Sequence, residues 1–286
     1  MAFGAFAVDT ILRCMSLPPG AEGIRFVPVM KVASWNVNSV NVRRERLLRW
    51  LAAKQPDVLC LQELKGTEEA FPSADVLELG YHAALYGQRT YNGVAILAKQ
   101  PPENVRKGFD DGEQDNEARL LAARVQGVHV LCCYVPNGQL ITSDKYVYKQ
   151  RWLDRLLGYL QRHHHPSEPL VVCGDFNIAP EDRDCYDPAS FHESVLCHDV
   201  MREKWRSLLA WGLVDTFRLH VPDAGKYSWW DYRMLGFPKG MGLRIDHVLA
   251  TRPLAARCTL AAIDREERKG KQPSDHAPVI AEFSWP

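Results

Sequence analysis

An α+β or α/β sandwich, in which β-sheets pack on each other and helices cover the outside, is the fold class that three features of this sequence predict. From residue 31 onward short β-patterned runs alternate with amphipathic helical patterns, strands outnumber helices, and no low-complexity linker interrupts the series. At 286 residues, 46% apolar and 24% charged, the chain is long enough to bury one continuous core. One globular domain is therefore expected over residues 30–286, behind an N-terminal extension, residues 1–29.

The elements follow from local pattern. Apolar, β-branched runs bounded by turn residues place strands at Lys31–Asn38, Asp57–Gln62, Tyr81–Gly87, Gly93–Lys99, Arg119–Gln126, His129–Tyr134 and Leu170–Gly174. Further strands are expected at Tyr227–Trp230, Ile245–Thr251, Arg257–Ile263 and Ala277–Phe283. Helical spacing is clearest at Arg43–Lys54, where Leu47, Leu48 and Leu51 share a face. It recurs at Ser143–Arg162, through Trp152, Leu153, Leu156, Leu157 and Leu160, and again from about Met201 to Trp211. A short echo links Trp35-Asn36-Val37-Asn38, closing the first strand, with Asp175-Phe176-Asn177, closing LVVCGD.

Composition excludes some classes of protein. Lys+Arg and Asp+Glu are both 35, so no overall field draws the chain to a polyanion, and contact with one requires a local basic patch. The eight cysteines (Cys14, Cys60, Cys132, Cys133, Cys173, Cys185, Cys197, Cys258) form no CxxC pair and several lie in apolar runs. They read as reduced, buried small hydrophobes, which suggests a cytosolic compartment. No run approaches the roughly 18 apolar residues of a membrane span. Residues 1–29 carry Asp9 in their apolar part and contain Pro18-Pro19-Gly20, unlike a signal peptide.

The functional signal is polar residues ending apolar strands, where burial without partners is costly. Asn36 and Asn38 follow VASW, Glu63 follows DVLCLQ, Tyr134 follows VLCC, and Asp175 and Asn177 follow LVVCG. Asp246 interrupts LRI-HVLA, and Asp275-His276 precedes APVIAEF. Singly, each has an ordinary explanation: Glu63 can pair with Lys65, Asp175 and Asn177 can form a turn, and Asp246 can pair with Arg244. Together they suit a hard cation such as Mg²⁺ or Mn²⁺, which takes oxygen ligands, and they can serve the hydrolysis of a phosphodiester. That reaction needs a positioned water, a base, stabilisation of developing charge and help for the leaving oxygen. His276 has a carboxylate partner available in Asp246 to orient it.

The segments VASWNVNSV, PDVLCLQELK, YNGVAIL, YVPNG, CGDFNIAP, WGLVDTFR, YSWWDYR, GLRIDHVLA and PSDHAPV occur in that order from residue 32 to residue 279. This ordered set resembles the exonuclease III class of the endonuclease/exonuclease/phosphatase superfamily. The resemblance implies a four-layered α/β sandwich of two mixed sheets packed face to face between helices. It implies a nuclease that hydrolyses duplex DNA 5′ to abasic sites and at 3′ ends. Glu63 matches the metal-binding glutamate, with Asn38 and Asp275 as further ligands, and Mg²⁺ or Mn²⁺ is the implied cofactor. Asp175 matches the aspartate that prepares the attacking water or assists the leaving group, while Asn36 and Asn177 match amides that orient water and phosphate. His276 with Asp246 matches a histidine–aspartate pair contacting the scissile phosphate, and Tyr134 a phosphate-contacting tyrosine. Asn137 matches a phosphate-binding amide, and Arg119 a backbone contact. YSWWDYR and GLRID resemble the lining of a pocket for an extruded abasic sugar, making Trp229, Leu243 and Ile245 its apolar wall. Trp230, facing the opposite way, is expected in the core.

The sequence departs from the family pattern in two places. QELK puts Leu64 beside the metal ligand, on the opposite side of the strand. The stretch from Glu181 to His198 is acidic and cysteine-containing, and reads as a long loop near the DNA. His163-His164-His165 reads as a solvated helix end before Pro166. Two rivals remain: a superfamily enzyme acting on another phosphoester, and a catalytically silent nucleic-acid-binding relative. A monomer is the default.

Overall fold

The computed structural model describes residues 28–285. The expectation for the N-terminal extension therefore lies outside the described residues, apart from positions 28 and 29. The first part of the chain forms β1 (Val29–Asn36), α1 (Arg44–Lys54), β2 (Val58–Gln62), α2 (Ser73–Glu78), β3 (His82–Tyr86) and β4 (Val94–Ala98). There follow β5 (Glu103–Lys107), β6 (Leu120–Val125), β7 (Val128–Tyr134), α3 (Asp144–His163), β8 (Leu170–Asp175), α4 (Pro188–Phe191) and α5 (Asp199–Trp211). Next come β9 (Leu213–Asp215), α6 (Thr216–His220), β10 (Trp229–Trp230) and β11 (Gly242–Leu243). The chain closes with β12 (Asp246–Thr251), α7 (Arg252–Ala255), β13 (Cys258–Ile263) and β14 (Val279–Ser284).

Two six-stranded mixed sheets result, ordered β13-β14-β1-β2-β4-β3 and β5-β6-β7-β8-β12-β9, with β10 and β11 pairing separately. Each sheet has one parallel pair at its centre, β1 with β2 and β7 with β8, and only antiparallel neighbours outside it. A parallel pair needs a crossover, and α1 and α3 supply the two crossovers.

Strand alternation sorts the side chains into layers. In β1 and β2, Val32, Val58 and Cys60 face the second sheet and pack with Val130, Val171, Val248 and Phe283. Their neighbours Ala33, Trp35, Leu59 and Leu61 face the other way, onto Leu47, Trp50 and Leu51 of α1. On the far side, Leu131, Val172 and Leu249 meet Trp152 and Leu156 of α3 and Trp205 of α5. Helix, sheet, sheet, helix is the four-layered sandwich expected, and the strands read as continuous apolar runs because both faces are covered. Helix α3 starts where the Ser143 hydroxyl caps the backbone N–H of Tyr146 at 3.3 Å.

The seven described cysteines are free; all are buried except the half-buried Cys258. Trp230 is in the core, as expected. Among the described residues no helix is long and apolar enough to cross a membrane.

Three expectations change. The strand at Tyr227–Trp230 shortens to its last two residues. The Glu181–His198 stretch is not a plain loop: it contains a 3₁₀ turn at Asp182–Asp184 and α4, and buries Asp184, Cys185 and Cys197. The buried Asp184 carboxylate is held by Arg218 and by Arg244 Nε at 2.6 Å, which fastens this stretch beneath the sheet end. The histidine run does end α3, with His165 exposed, but it is not solvated throughout, because the His164 side chain is only 7% exposed.

Gly174 shows how closely β7 and β8 approach. Its φ is +151°, and a Cβ there would lie 1.8 Å from the Cys133 carbonyl oxygen. No rotamer change relieves a clash with backbone. Gly174→Ala should therefore destabilise the fold by about 3 kcal/mol or more, or prevent folding, as read by urea denaturation. A loss below about 1 kcal/mol would show that the two strands can separate at this point.

Candidate active site

The carboxyl-terminal ends of the four central strands meet at one edge of the sandwich. Asn36 ends β1, Glu63 follows β2, Tyr134 ends β7 and Asp175 ends β8. Asp246 opens β12 directly opposite Asp175 in antiparallel register. His276 comes in on the segment before β14, where Trp229 pairs with it in an isolated bridge. The backbone here is bent into the left-handed region at Asn38 (φ 45°), Glu63 (54°), Lys65 (53°) and Asn177 (51°). Asparagine tolerates that conformation; glutamate and lysine do so only where their surroundings hold them.

One amide links the two sheets: Asn36 Nδ2 donates to Glu63 Oε1 at 2.9 Å and to Asp175 Oδ2 at 3.0 Å. Tyr134 Oη donates to the same Glu63 oxygen at 2.8 Å. The other Glu63 oxygen meets the Lys65 ammonium at 2.8 Å. Asp175 Oδ1 accepts the Asn177 backbone N–H at 2.9 Å, and Asn177 Nδ2 donates to the Val135 carbonyl at 3.0 Å. Asn137 Nδ2 then donates to Asn177 Oδ1 at 3.0 Å. His276 Nδ1 donates to Asp246 at 2.9 Å, while its Nε2 stands 3.8 Å from Asp175 Oδ2, too long for a hydrogen bond.

These contacts set the charges. Burial raises Asp175 most, the nearby Asp246 and Glu63 carboxylates add to it, and although His276 and Asn36 pull the other way its pKa stands at about 7. Burial opposes charge on His276, but Asp246 and then Asp175 outweigh it and raise the imidazole to about 10, so the ring carries a proton at neutral pH. Burial likewise works against the Glu63 charge, yet Lys65 and Asn36 hold its pKa below the usual carboxylate range. Burial, reinforced by Glu63 and Asp175, pushes the Tyr134 phenol well above its ordinary value, keeping it a donor.

Glu63, Asp175 and His276 can each offer one ligand atom within 4.8 Å of the others. The protonated imidazole is a donor, which leaves the two carboxylates as the oxygen donors of the group. The donor set fits a hard dication, and the upward push on Asp175 marks a negative charge that its present partners leave undercompensated.

Several expected residues lie nearby and already have partners. Asp275 and Asn38, expected as metal ligands, are bonded to each other: Asn38 Nδ2 donates to Asp275 Oδ1 at 2.8 Å, and Trp229 Nε1 donates to Asp275 Oδ2 at 3.0 Å. Asn38 Oδ1 accepts from Lys65 Nζ. Both oxygens of Asp275 are thus already accepting hydrogen bonds, and the pair anchors the Trp229 ring beside the site. Arg119, expected to contact the DNA backbone, lies with its guanidinium 4.6 Å from the centre of the Tyr134 ring and donates to the Tyr134 carbonyl at 3.3 Å. It braces the tyrosine. Leu243 and Ile245, expected to form an apolar wall with Trp229, are fully buried, with only Trp229 half-exposed above them. Leu64 points into the core behind the strand, as expected.

Pattern reading missed two lysines. Lys65, which the sequence offers only as an ion-pair partner of Glu63, joins Glu63 to Asn38 through its ammonium. Lys149 is fully buried, and its ammonium donates to the carbonyls of Asn137, Asn177 and Val195 at 3.1, 2.7 and 2.6 Å. Burial lowers its pKa to about 7, against the pull of Asp175. The signal was present: Lys149 precedes Trp152, Leu153 and Leu156 by three, four and seven residues and so shares their apolar face.

Residues 33–276 match the model of the endonuclease/exonuclease/phosphatase family. The chain belongs to that family. An exodeoxyribonuclease III from Haemophilus influenzae is 36% identical over 266 residues, covering 89% of this chain and all of the relative. A solved AP endonuclease from Archaeoglobus fulgidus is 40% identical with a TM-score of 0.86, covering 89% of this chain and 99% of the other. A solved 3′-5′ exonuclease from Neisseria meningitidis is 43% identical with the same TM-score, 0.86, covering 90% and 100%. Family membership accounts for the expected two-sheet sandwich and for polar residues at strand ends whose neighbours are buried.

In the metal-free protein, the Asp175 carboxyl carbon should titrate by NMR with a midpoint near 7. Added Mg²⁺ should move that midpoint down, because a nearby dication favours the carboxylate. A midpoint near 4 in the metal-free protein would mean that water reaches the group and that burial does not govern it.

Proposed function

We propose that this protein is a divalent-metal-dependent phosphodiesterase of duplex DNA that cuts 5′ to abasic sites and trims 3′ ends. One observation carries the reading: Glu63, Asp175 and the protonated His276 converge with Asn36, Asn177 and Tyr134 where the central strands of both sheets end. The likeness to relatives described as an exodeoxyribonuclease III, an AP endonuclease and a 3′-5′ exonuclease supports the choice of DNA over another phosphoester.

Glu63, with Asn38 and Asp275 as further ligands, would hold the Mg²⁺ or Mn²⁺ ion next to Asp175, and the Asn38–Asp275 pair also keeps Trp229 and Lys65 in place. When bound, the ion neutralises phosphate charge and lowers the cost of the crowded transition state. Asp175, poised near neutrality, accepts a proton from the attacking water when ionised or returns one to the departing oxygen. His276, kept cationic by Asp246, faces the non-bridging phosphate oxygens, where charge develops. Tyr134 stays a phenol and can turn its O–H from Glu63 to a phosphate oxygen. Asn36, and Asn177 with Asn137 bonded to it, flank Asp175, and the remaining capacity of their amides orients water and phosphate. Trp229 offers an apolar face beside His276, ring centres 6.4 Å apart, against which a sugar lacking its base can rest, with Leu243 and Ile245 packed behind it. Arg119 acts through Tyr134.

The direct test uses a labelled duplex with one central abasic-site analogue beside an intact duplex with a recessed 3′ end. Mg²⁺ should support cutting of the first at the 5′ side of the analogue and shortening of the second from its 3′ end, and a chelator should stop both. A folded protein that cuts neither duplex in Mg²⁺ refutes the proposal. Asp175→Asn should lower the single-turnover rate about 10²–10⁴-fold while DNA affinity changes little, since the loss is one of proton handling. An equal fall in affinity would assign Asp175 a structural role instead.

A further inference from the structure

At the opposite end of the second sheet, the fold brings together His129, early in β7, His164, just after α3, and Glu168, in the loop entering β8. Along β7, His129 and Tyr134 are five residues apart, so this cluster lies about 17 Å from the candidate active site. We propose that His129, His164 and Glu168 form a second metal site, separate from the nuclease centre and suited to a borderline dication such as Zn²⁺.

The ligand atoms of the three residues lie within 4.8 Å of one another. Neither nitrogen of His164 has a hydrogen-bond partner, although its side chain is only 7% exposed. A buried imidazole with both nitrogens unpaired is costly and needs an explanation, which a metal bond supplies. The His129 and His164 rings meet edge to face at 5.0 Å, and His164 Nδ1 stands 3.9 Å from Glu168 Oε2.

The surrounding backbone is firm. The His129 N–H donates to the Pro169 carbonyl at 2.9 Å, the Glu168 N–H to the His165 carbonyl at 3.0 Å, and the Thr251 hydroxyl to the Glu168 carbonyl at 2.6 Å. Only side chains must move. Bonds of about 2.0–2.1 Å in a tetrahedral shell place ligands about 3.4 Å apart, so no pair has to close by more than about 1.4 Å. The Glu168 side chain, 44% exposed, has room to swing inward.

Chemistry selects the ion class. Two imidazoles and one carboxylate make an N₂O set that suits Zn²⁺ and its neighbours, whereas Mg²⁺ takes oxygen ligands almost alone. Burial holds His164 at a pKa of about 4 and lowers His129, so both rings are neutral and able to ligate at neutral pH. The cationic groups facing the cluster are Arg106 and Arg124, which oppose a dication; Glu168 is the anion that favours it. His129 and Glu168 are partly open to solvent, which leaves a coordination position for water or an external ligand.

Co²⁺, a spectroscopic stand-in for Zn²⁺, tests the site in the full chain with excess Mg²⁺ present. Wild type should bind one equivalent with the intense visible bands of a tetrahedral site, and Zn²⁺ should displace it and raise the thermal midpoint. His129→Ala and Glu168→Gln both alter half-exposed groups and should stay folded. Each should weaken Co²⁺ and Zn²⁺ binding at least about 10- to 100-fold, whereas Glu63→Gln at the nuclease centre should leave it unchanged. His164→Ala should behave like His129→Ala if it folds; otherwise the two partly exposed variants decide. No binding by wild type, unchanged binding in His129→Ala, or loss in Glu63→Gln alone would each overturn the proposal.

Discussion

The Asn36 side chain is the constraint on which the site depends. Its Nδ2 donates at once to a glutamate that follows a strand of the first sheet and to an aspartate that ends a strand of the second. Two sheets packed through apolar side chains have no directional reason to stop in register at one edge. A single amide that must satisfy both carboxylates supplies that direction, and it is itself held, since Asn36 Oδ1 accepts the Asn38 N–H at 3.0 Å and the Asn36 carbonyl accepts the Ser274 hydroxyl at 2.7 Å. The echo between WNVN and DFN has its physical basis here: the two segments leave central strands at the same edge and their polar residues bond to each other.

Around that link the electrostatics divide three carboxylates into different roles. Glu63, less buried and with Lys65 and Asn36 as donors, stays ionised; Asp246 is matched to His276; Asp175, as buried as Asp246 but without a full partner, is pushed toward neutrality. The same residue type thus acquires separate properties from its neighbours alone. The buried network below continues this logic, because Arg244 joins Asp184 and Asp215 and so ties the Glu181–His198 stretch to the strand that carries Asp246.

Much of this was legible in the sequence, for a physical reason. Central strands covered on both faces must be apolar throughout, so Asn36, Glu63, Tyr134, Asp175 and Asp246 stood out where the runs ended. Edge elements gave no such contrast. Strand β5, with the sequence ENVRK, is exposed along its length and exists because it pairs with β6; β9 and β11 are short and likewise defined by partners far away in sequence. Side-chain bonding was invisible for a similar reason. Nothing in the spacing of Asn38, Asp275 and Trp229 shows that they bond to one another, nor that Arg119 packs on a tyrosine, since those partners are 15 to 237 residues apart. In the histidine run only the middle residue departs from the solvated helix end that the pattern suggests, because the turn into β8 folds His164 under.

The buried Lys149 has a consequence of another kind. Its ammonium is enclosed by three carbonyls, one from the loop after β7, one from the loop after β8 and one from the segment before α5. An amine so enclosed, titrating near neutrality, is a strong nucleophile hidden from solvent. Acylating reagents can reach it only when those three loops part. Its rate of labelling therefore acts as a clock for the opening of the floor on which Asn137 and Asn177 rest, timed by a residue that itself touches no substrate.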